Sequence, residues 1–260
     1  MINNEFDSEI KYKLFRTVNE ILHTTISKKN ISDYKIIIDE GILPVRVFYP
    51  KKVTNLDKVI IYVHGDGEVT NCLGEYSNIC KNFAIKTNSL LIAIEYDDIK
   101  DGYKEVVEEV NKTIKYVYDK LLMNNILEDN IIVMSDSTGC HIISLIKDIP
   151  IRKRLLFYPV LKTKYTKKDM KNEDFNIGLI ERINKYFKDY EVKDNATLED
   201  EYADKILIIV GKVDMLVDDI KEYESDKIRC VEVPFSSHGF LKEMDKELSS
   251  EVFTIVNKFI

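Results

Sequence analysis

Ser135-Asp136-Ser137-Thr138-Gly139 is a stretch whose residue types and order could support nucleophilic chemistry. It directly follows an apolar, β-rich run at 130–134 and leads into 140–147, which has helical character. A strand-to-helix reversal this tight strains its central residue and needs small neighbours two positions to either side. In return it lifts the central side chain above the sheet, at the positive end of a helix. Ser137 holds that centre, with Ser135 and Gly139 as the small flanks. Serines and glycines also fill ordinary turns, so the stretch alone leaves both readings open. Ser135 is the rival nucleophile, but it precedes the turn and should point elsewhere. Asp136 is expected to brace the turn by hydrogen bonding. Cys140 and His141 are expected to be a packed thiol and a structural histidine.

Three further features fit the same chemistry. His64-Gly65-Asp66-Gly67 follows an apolar run at 58–63. Glycines at a strand end let backbone N–H groups approach a ligand closely, as a developing oxyanion requires. The competing reading is a glycine-rich turn beside a buried histidine. Gly211-Lys212-Val213-Asp214 ends the apolar run 205–210, on the edge where open α/β sheets place their sites. Asp218 and Asp219 follow closely, so position alone does not single out Asp214. Ser236-Ser237-His238-Gly239 lies after the last strand-like run. Of the four histidines, His23 falls in a helical pattern, His64 in the glycine turn and His141 after the serine turn. Only His238 occupies a loop after a strand, downstream of both Ser137 and Asp214.

The elements that must position these residues can be read from the periodicity. Residues 34–39 and 45–49 read as an antiparallel strand pair, and 58–63, 89–95, 130–134, 154–158, 205–210 and 227–233 as further strands. Helical patterns fall at 8–26, 75–87, 101–123, 140–147, 216–225 and 241–259. Strands alternating with helices predict a mostly parallel sheet covered on both faces. Residues 161–203 are highly charged and weakly periodic, and are read as an excursion between two sheet strands. They lack the apolar residues for a second core, so the whole chain, 1–260, is expected to form one domain, with 1–30 as a short N-terminal helical cap segment.

Composition narrows the function classes. With 45% hydrophobic and 32% charged residues, the 260-residue chain has the make-up of a globular enzyme. A net charge of −7 and no basic stripe argue against nucleic acid as a partner. The apolar runs are too short to span a membrane, and residues 1–9 show no export signal. The four cysteines have neither zinc nor CxxC spacing and read as reduced thiols, so a soluble, cytoplasmic protein is expected.

In chain order the features run glycine turn, serine, acid, histidine, separated by 73, 77 and 24 residues (64 to 137, 137 to 214, 214 to 238). Each interval leaves room for whole βα units, and each feature ends a predicted strand. On these motifs the chain resembles the hormone-sensitive-lipase-like, carboxylesterase branch of the α/β-hydrolases. Residues 59–67 are similar to that family's strand plus HGGG turn, and 135–140 to its GDSAGG elbow. Residues 157–161, 210–216 and 238–240 are similar to its later segments. The resemblance implies an α/β-hydrolase fold, with a mostly parallel central sheet flanked by helices, an antiparallel N-terminal strand pair and a short cap.

It also implies a lipase-like serine esterase acting on small-molecule esters of small or medium acyl groups, with no cofactor and no metal. Ser137 would be the nucleophile, His238 the general base and Asp214 the residue that orients it. The backbone N–H groups of Asp66, Gly67 and Thr138 would form the oxyanion hole. The sequence departs from the pattern at Asp66, where the family has glycine, at Glu68, and at Ser135 and Cys140 in the elbow. A carboxylate beside a developing oxyanion opposes it, so Asp66 implies a slow esterase or a cationic substrate, unless it turns to solvent. The same triad serves peptidases, thioesterases and acyltransferases, and an altered turn also suits a hydrolase-fold protein that only binds its ligand.

Overall fold

The computed structural model describes residues 34–36, 42–50, 58–65, 72–96, 103–146, 148–165, 177–187 and 196–260. Among these residues, eight strands form one sheet in the order β1-β2-β4-β3-β5-β6-β7-β8. They are β1 (Tyr34–Ile36), β2 (Val45–Phe48), β3 (Val59–Val63), β4 (Leu90–Ile94), β5 (Ile131–Asp136), β6 (Lys153–Phe157), β7 (Lys205–Gly211) and β8 (Ile228–Val233). β1 pairs antiparallel with β2, and β2 antiparallel with β4. Every other pairing is parallel. The mostly parallel sheet and the antiparallel N-terminal pair are as the sequence predicts.

The central strands are apolar throughout because both of their faces are covered. Val59, Ile61 and Val63 of β3 join one core, and Ile60 and Tyr62 join the other, in the two-residue alternation of a strand. The first core is closed by α2 (Tyr103–Met123), which lays Val106, Val110, Ile114, Val117 and Leu121 against it. The second is closed by α1 (Cys72–Thr87) and α6 (Lys246–Phe259), through Phe83, Ala84, Val252, Phe253 and Val256. The β3 and β4 ladder sets Ile61 beside Ile92, and the β3 and β5 ladder sets Val63 beside Ser135. The glycine turn and the serine turn therefore leave the sheet side by side.

Several boundaries differ from the sequence expectation. The serine turn is shorter than its residues suggest, for α3 (Ser137–Ser144) begins at Ser137 itself and ends before Lys147. The helix expected at 216–225 is only α5 (Val217–Lys221). The last helix does not begin at Leu241: a 3₁₀ turn at Phe240–Lys242 comes first, and α6 starts at Lys246. Asp245 caps α6 by accepting the Leu248 N–H at 2.8 Å, which fixes the break. Within 161–203 lies an unexpected helix, α4 (Ile177–Tyr186). Ile180, Ile183 and, just beyond it, Phe187 are buried in the first core, so α4 packs on the core of the sheet. Its other residues are mostly charged or polar, which hides the period. The expected helix at 8–26 and the segment 1–30 lie outside the described residues.

Candidate active site

At the end of β5, Ser137 has φ +47°, a left-handed conformation that a non-glycine residue adopts only under constraint. The constraint is visible at Gly139. A Cβ there would run into the His64 carbonyl and lie 2.7 Å from Ser135 Oγ, so only glycine lets the two turns pack this closely. Ser135 is fully buried and its hydroxyl donates to the Val63 carbonyl at 2.6 Å. It faces the neighbouring strand, whereas Ser137 faces the histidine loop.

The acid and histidine loops meet in a similar way. A Cβ on Gly211 would collide with the Ser236 carbonyl, and the Val213 N–H donates to that same carbonyl at 3.1 Å. The contact brings Asp214 to His238. His238 Nδ1–H donates to Asp214 Oδ2 at 3.0 Å, and the Ser137 hydroxyl lies 2.9 Å from His238 Nε2. Asp214 Oδ1 accepts the Leu216 N–H at 2.9 Å, which fixes the carboxylate plane. With the Nδ1 proton held by the carboxylate, Nε2 carries the lone pair that can accept the serine proton. The Asp214 side chain is sealed from solvent, while 12% of the His238 side chain is exposed. Asp219 is paired with Lys162 at 2.9 Å. The structure thus brings Ser137, Asp214 and His238 together.

Thr138 lies in the first turn of α3, whose N–H groups point out of the helix end. Asp66 and Gly67 lie outside the described residues. His64 is buried in an aromatic stack, 4.3 Å from the Tyr96 ring and 5.3 Å from that of Tyr76. Tyr96 also donates its hydroxyl to the His64 carbonyl. His64 is therefore part of the framework below the glycine turn.

Asp136 reaches further than a local brace. Its Oδ1 accepts the Tyr62 hydroxyl at 2.6 Å and the Gly65 N–H at 2.9 Å. Its Oδ2 lies 3.3 Å from the Tyr76 hydroxyl and 3.4 Å from that of Tyr158. Burial, reinforced by the Asp136 charge, pushes the Tyr62 phenol well above its usual range, so it stays a donor. One buried carboxylate thus ties β3, the glycine turn, α1 and the residue after β6 to the base of the serine turn. The tyrosines read in sequence as ordinary core, and only their hydroxyls hint at a polar partner.

Cys140 is fully buried and burial pushes its thiol well up, so it is a packed thiol despite its place near a helix start. His141 accepts the Tyr103 hydroxyl at Nδ1 and packs against Phe187, 4.9 Å between ring centroids. Burial holds its pKa at about 4, below its usual 6.5. Between these values the unfolded chain binds the proton and the folded chain does not. The stabilisation from this neutral histidine is complete above pH 6.5 and is lost as the pH falls towards 4, by about 3 kcal/mol in all. His141→Phe should flatten that limb of a urea-unfolding series run from pH 7 to 4. A slope unchanged from wild type would count against it. Among the described residues, no group of three or more His, Cys, Asp or Glu is placed to hold a metal ion. No described helix is long and apolar enough to cross a membrane.

Comparison with known proteins gives a consistent result. A family model described as alpha/beta hydrolase fold matches residues 60–243, which carry all of the features above. Human arylacetamide deacetylase-like 4 is 25% identical over 175 residues, covering 62% of this chain and 42% of the human protein. The chain thus spans less than half the length of that relative. Among solved structures, the Francisella virulence factor BioJ superposes with a TM-score of 0.73 at 19% identity, covering 99% of this chain and 96% of that one. A hyperthermophilic esterase from Pyrobaculum calidifontis gives 0.70 at 16% identity, covering 97% and 91%.

Proposed function

Because the chain belongs to the alpha/beta hydrolase fold family, we propose that it hydrolyses carboxylic esters of small or medium acyl groups through a Ser-His-Asp triad. The observation that carries this reading is the hydrogen-bonded line from Ser137 through His238 to Asp214, at 2.9 and 3.0 Å, across three strand ends. A binding protein needs no such line. The names of its relatives, a deacetylase-like protein and an esterase among them, agree with acyl chemistry.

In this reading His238 Nε2 takes the Ser137 proton as Oγ attacks the ester carbonyl. The tetrahedral oxyanion accepts hydrogen bonds from the Thr138 N–H and from those of Asp66 and Gly67. Collapse breaks the bond to the leaving alcohol, which departs with the proton from His238, and leaves an acyl group on Ser137. Water, deprotonated by His238, then attacks the acyl-enzyme, releasing the acid and restoring the serine. Asp214 stabilises the imidazolium that forms twice per turnover.

The reading is tested with a fluorophosphonate probe, alongside turnover of a short-chain p-nitrophenyl ester. Wild type should be labelled and active, and Ser137→Ala should be neither. Well-folded wild-type protein that is neither labelled nor active would establish a hydrolase-fold binder instead. Labelling that persists in Ser137→Ala would place the nucleophile elsewhere.

A further inference from the structure

Tyr158 carries three features that a filler of the core does not need. It has φ +35°, in a region that a bulky aromatic residue enters only against a steric cost. It is fully buried, and its ring lies 4.9 Å from the His238 ring, tilted by 58°. It also stands between the strand ends that carry the site. β6 pairs with both β5 and β7, the Tyr158 N–H donates to the Ile209 carbonyl at 2.9 Å, and the Val160 N–H donates to the Ser137 carbonyl at 3.0 Å.

His238, by contrast, belongs to neither helix nor strand, and the next residue, Gly239, has φ +80°. An imidazole on such a loop, hydrogen-bonded to Asp214 at Nδ1 and to the rotatable Ser137 hydroxyl at Nε2, can still turn about the line through those two bonds. Setting its plane takes a further contact of fixed position. The Tyr158 ring also packs on Phe240, 5.0 Å away and nearly perpendicular, and its hydroxyl lies 3.4 Å from Oδ2 of the buried Asp136. Its backbone bond to Ile209 and its hydroxyl contact with Asp136 both tie the tyrosine to parts of the fold outside the histidine loop.

We propose that Tyr158 is a positioning residue whose ring sets the plane of the His238 imidazole, so that Nδ1 faces Asp214 while Nε2 faces Ser137. The kinetic part of the proposal rests on the esterase reading above; the geometric part does not. Tyr158→Leu removes the ring contact and leaves every hydrogen bond of the triad chemically possible. A misplacement of the base of about an ångström costs on the order of 10²-fold in rate. The variant should therefore lose about 10² in kcat on a p-nitrophenyl ester, with KM changed by less than about threefold. In proton NMR, the far-downfield resonance of a histidine Nδ1–H bound to a carboxylate should vanish in Tyr158→Leu. Tyr158→Phe, which keeps the ring, should recover most of the rate and all of the resonance.

A folded Tyr158→Leu that retains wild-type kcat or an unchanged resonance overturns the proposal, and so does a Tyr158→Phe as impaired as the leucine variant. Where leucine prevents folding, Tyr158→Met is judged by the same outcomes. If no form turns over ester but the resonance is lost with leucine and kept with phenylalanine, the positioning role stands and the esterase reading falls.

Discussion

Asp214→Asn should lower kcat for ester hydrolysis about 10⁴-fold while leaving KM and the fold almost unchanged. The asparagine has the shape of the residue it replaces, and its amide oxygen can keep the Leu216 N–H bond now made by Oδ1 at 2.9 Å. Its NH₂ group then takes the place of Oδ2 and offers a donor to His238 Nδ1, where the aspartate offers an acceptor. The imidazole must answer by moving its proton to Nε2, the nitrogen that faces Ser137. A histidine protonated there cannot accept the serine proton, so the base is lost without any loss of packing. Because the Asp214 side chain is sealed from solvent, no water can easily supply the missing acceptor. Stopped-assay kcat and KM on a p-nitrophenyl ester measure this directly. A loss smaller than tenfold would show that Asp214 does not set the tautomer.

The residues that set this tautomer can be read from the chain, and the reason is local. Ser137 stands at a junction where a β-type run turns abruptly into a helix, a signal contained within five residues. Asp214 follows β7, whose apolar run is unmistakable because the strand is buried on both faces, and His238 follows β8, an edge strand that is only partly buried and carries Arg229 and Glu232. The sheet is legible for the same reason, since VIIYV and LLIAI have no exposed position at all. What escapes the sequence is either masked by charge or assembled across distance. α4 sets Ile180 and Ile183 in the core, but it is only 10 residues long within a highly charged segment, so its helical period is brief. The C-terminal helix begins late because one side chain, Asp245, caps it, and a cap overrides the apolar spacing that runs through Leu241. The Asp136 network joins residues 74, 71, 60 and 22 positions away, and no periodicity reports on such a contact.

That network predicts the largest loss of stability among the site variants considered. Asp136→Ala should destabilise the fold by about 3 kcal/mol, and Asp136→Asn by only about 1 kcal/mol. Alanine leaves the Tyr62 hydroxyl and the Gly65 N–H facing a dry gap. These are the two short bonds, at 2.6 and 2.9 Å, and a buried donor without an acceptor costs roughly 1–3 kcal/mol. The Tyr76 and Tyr158 hydroxyls, at 3.3 and 3.4 Å, add less, because their bonds are long and they can rotate. Removing the buried charge returns part of this, since its desolvation no longer opposes folding. Asparagine keeps an acceptor for the two short bonds and turns its NH₂ towards hydroxyls that can accept, so each group retains a partner. Urea unfolding of the three proteins gives the two differences. An alanine variant no less stable than the asparagine one would mean that the tyrosines and Gly65 are held by packing, with the carboxylate a passenger among them.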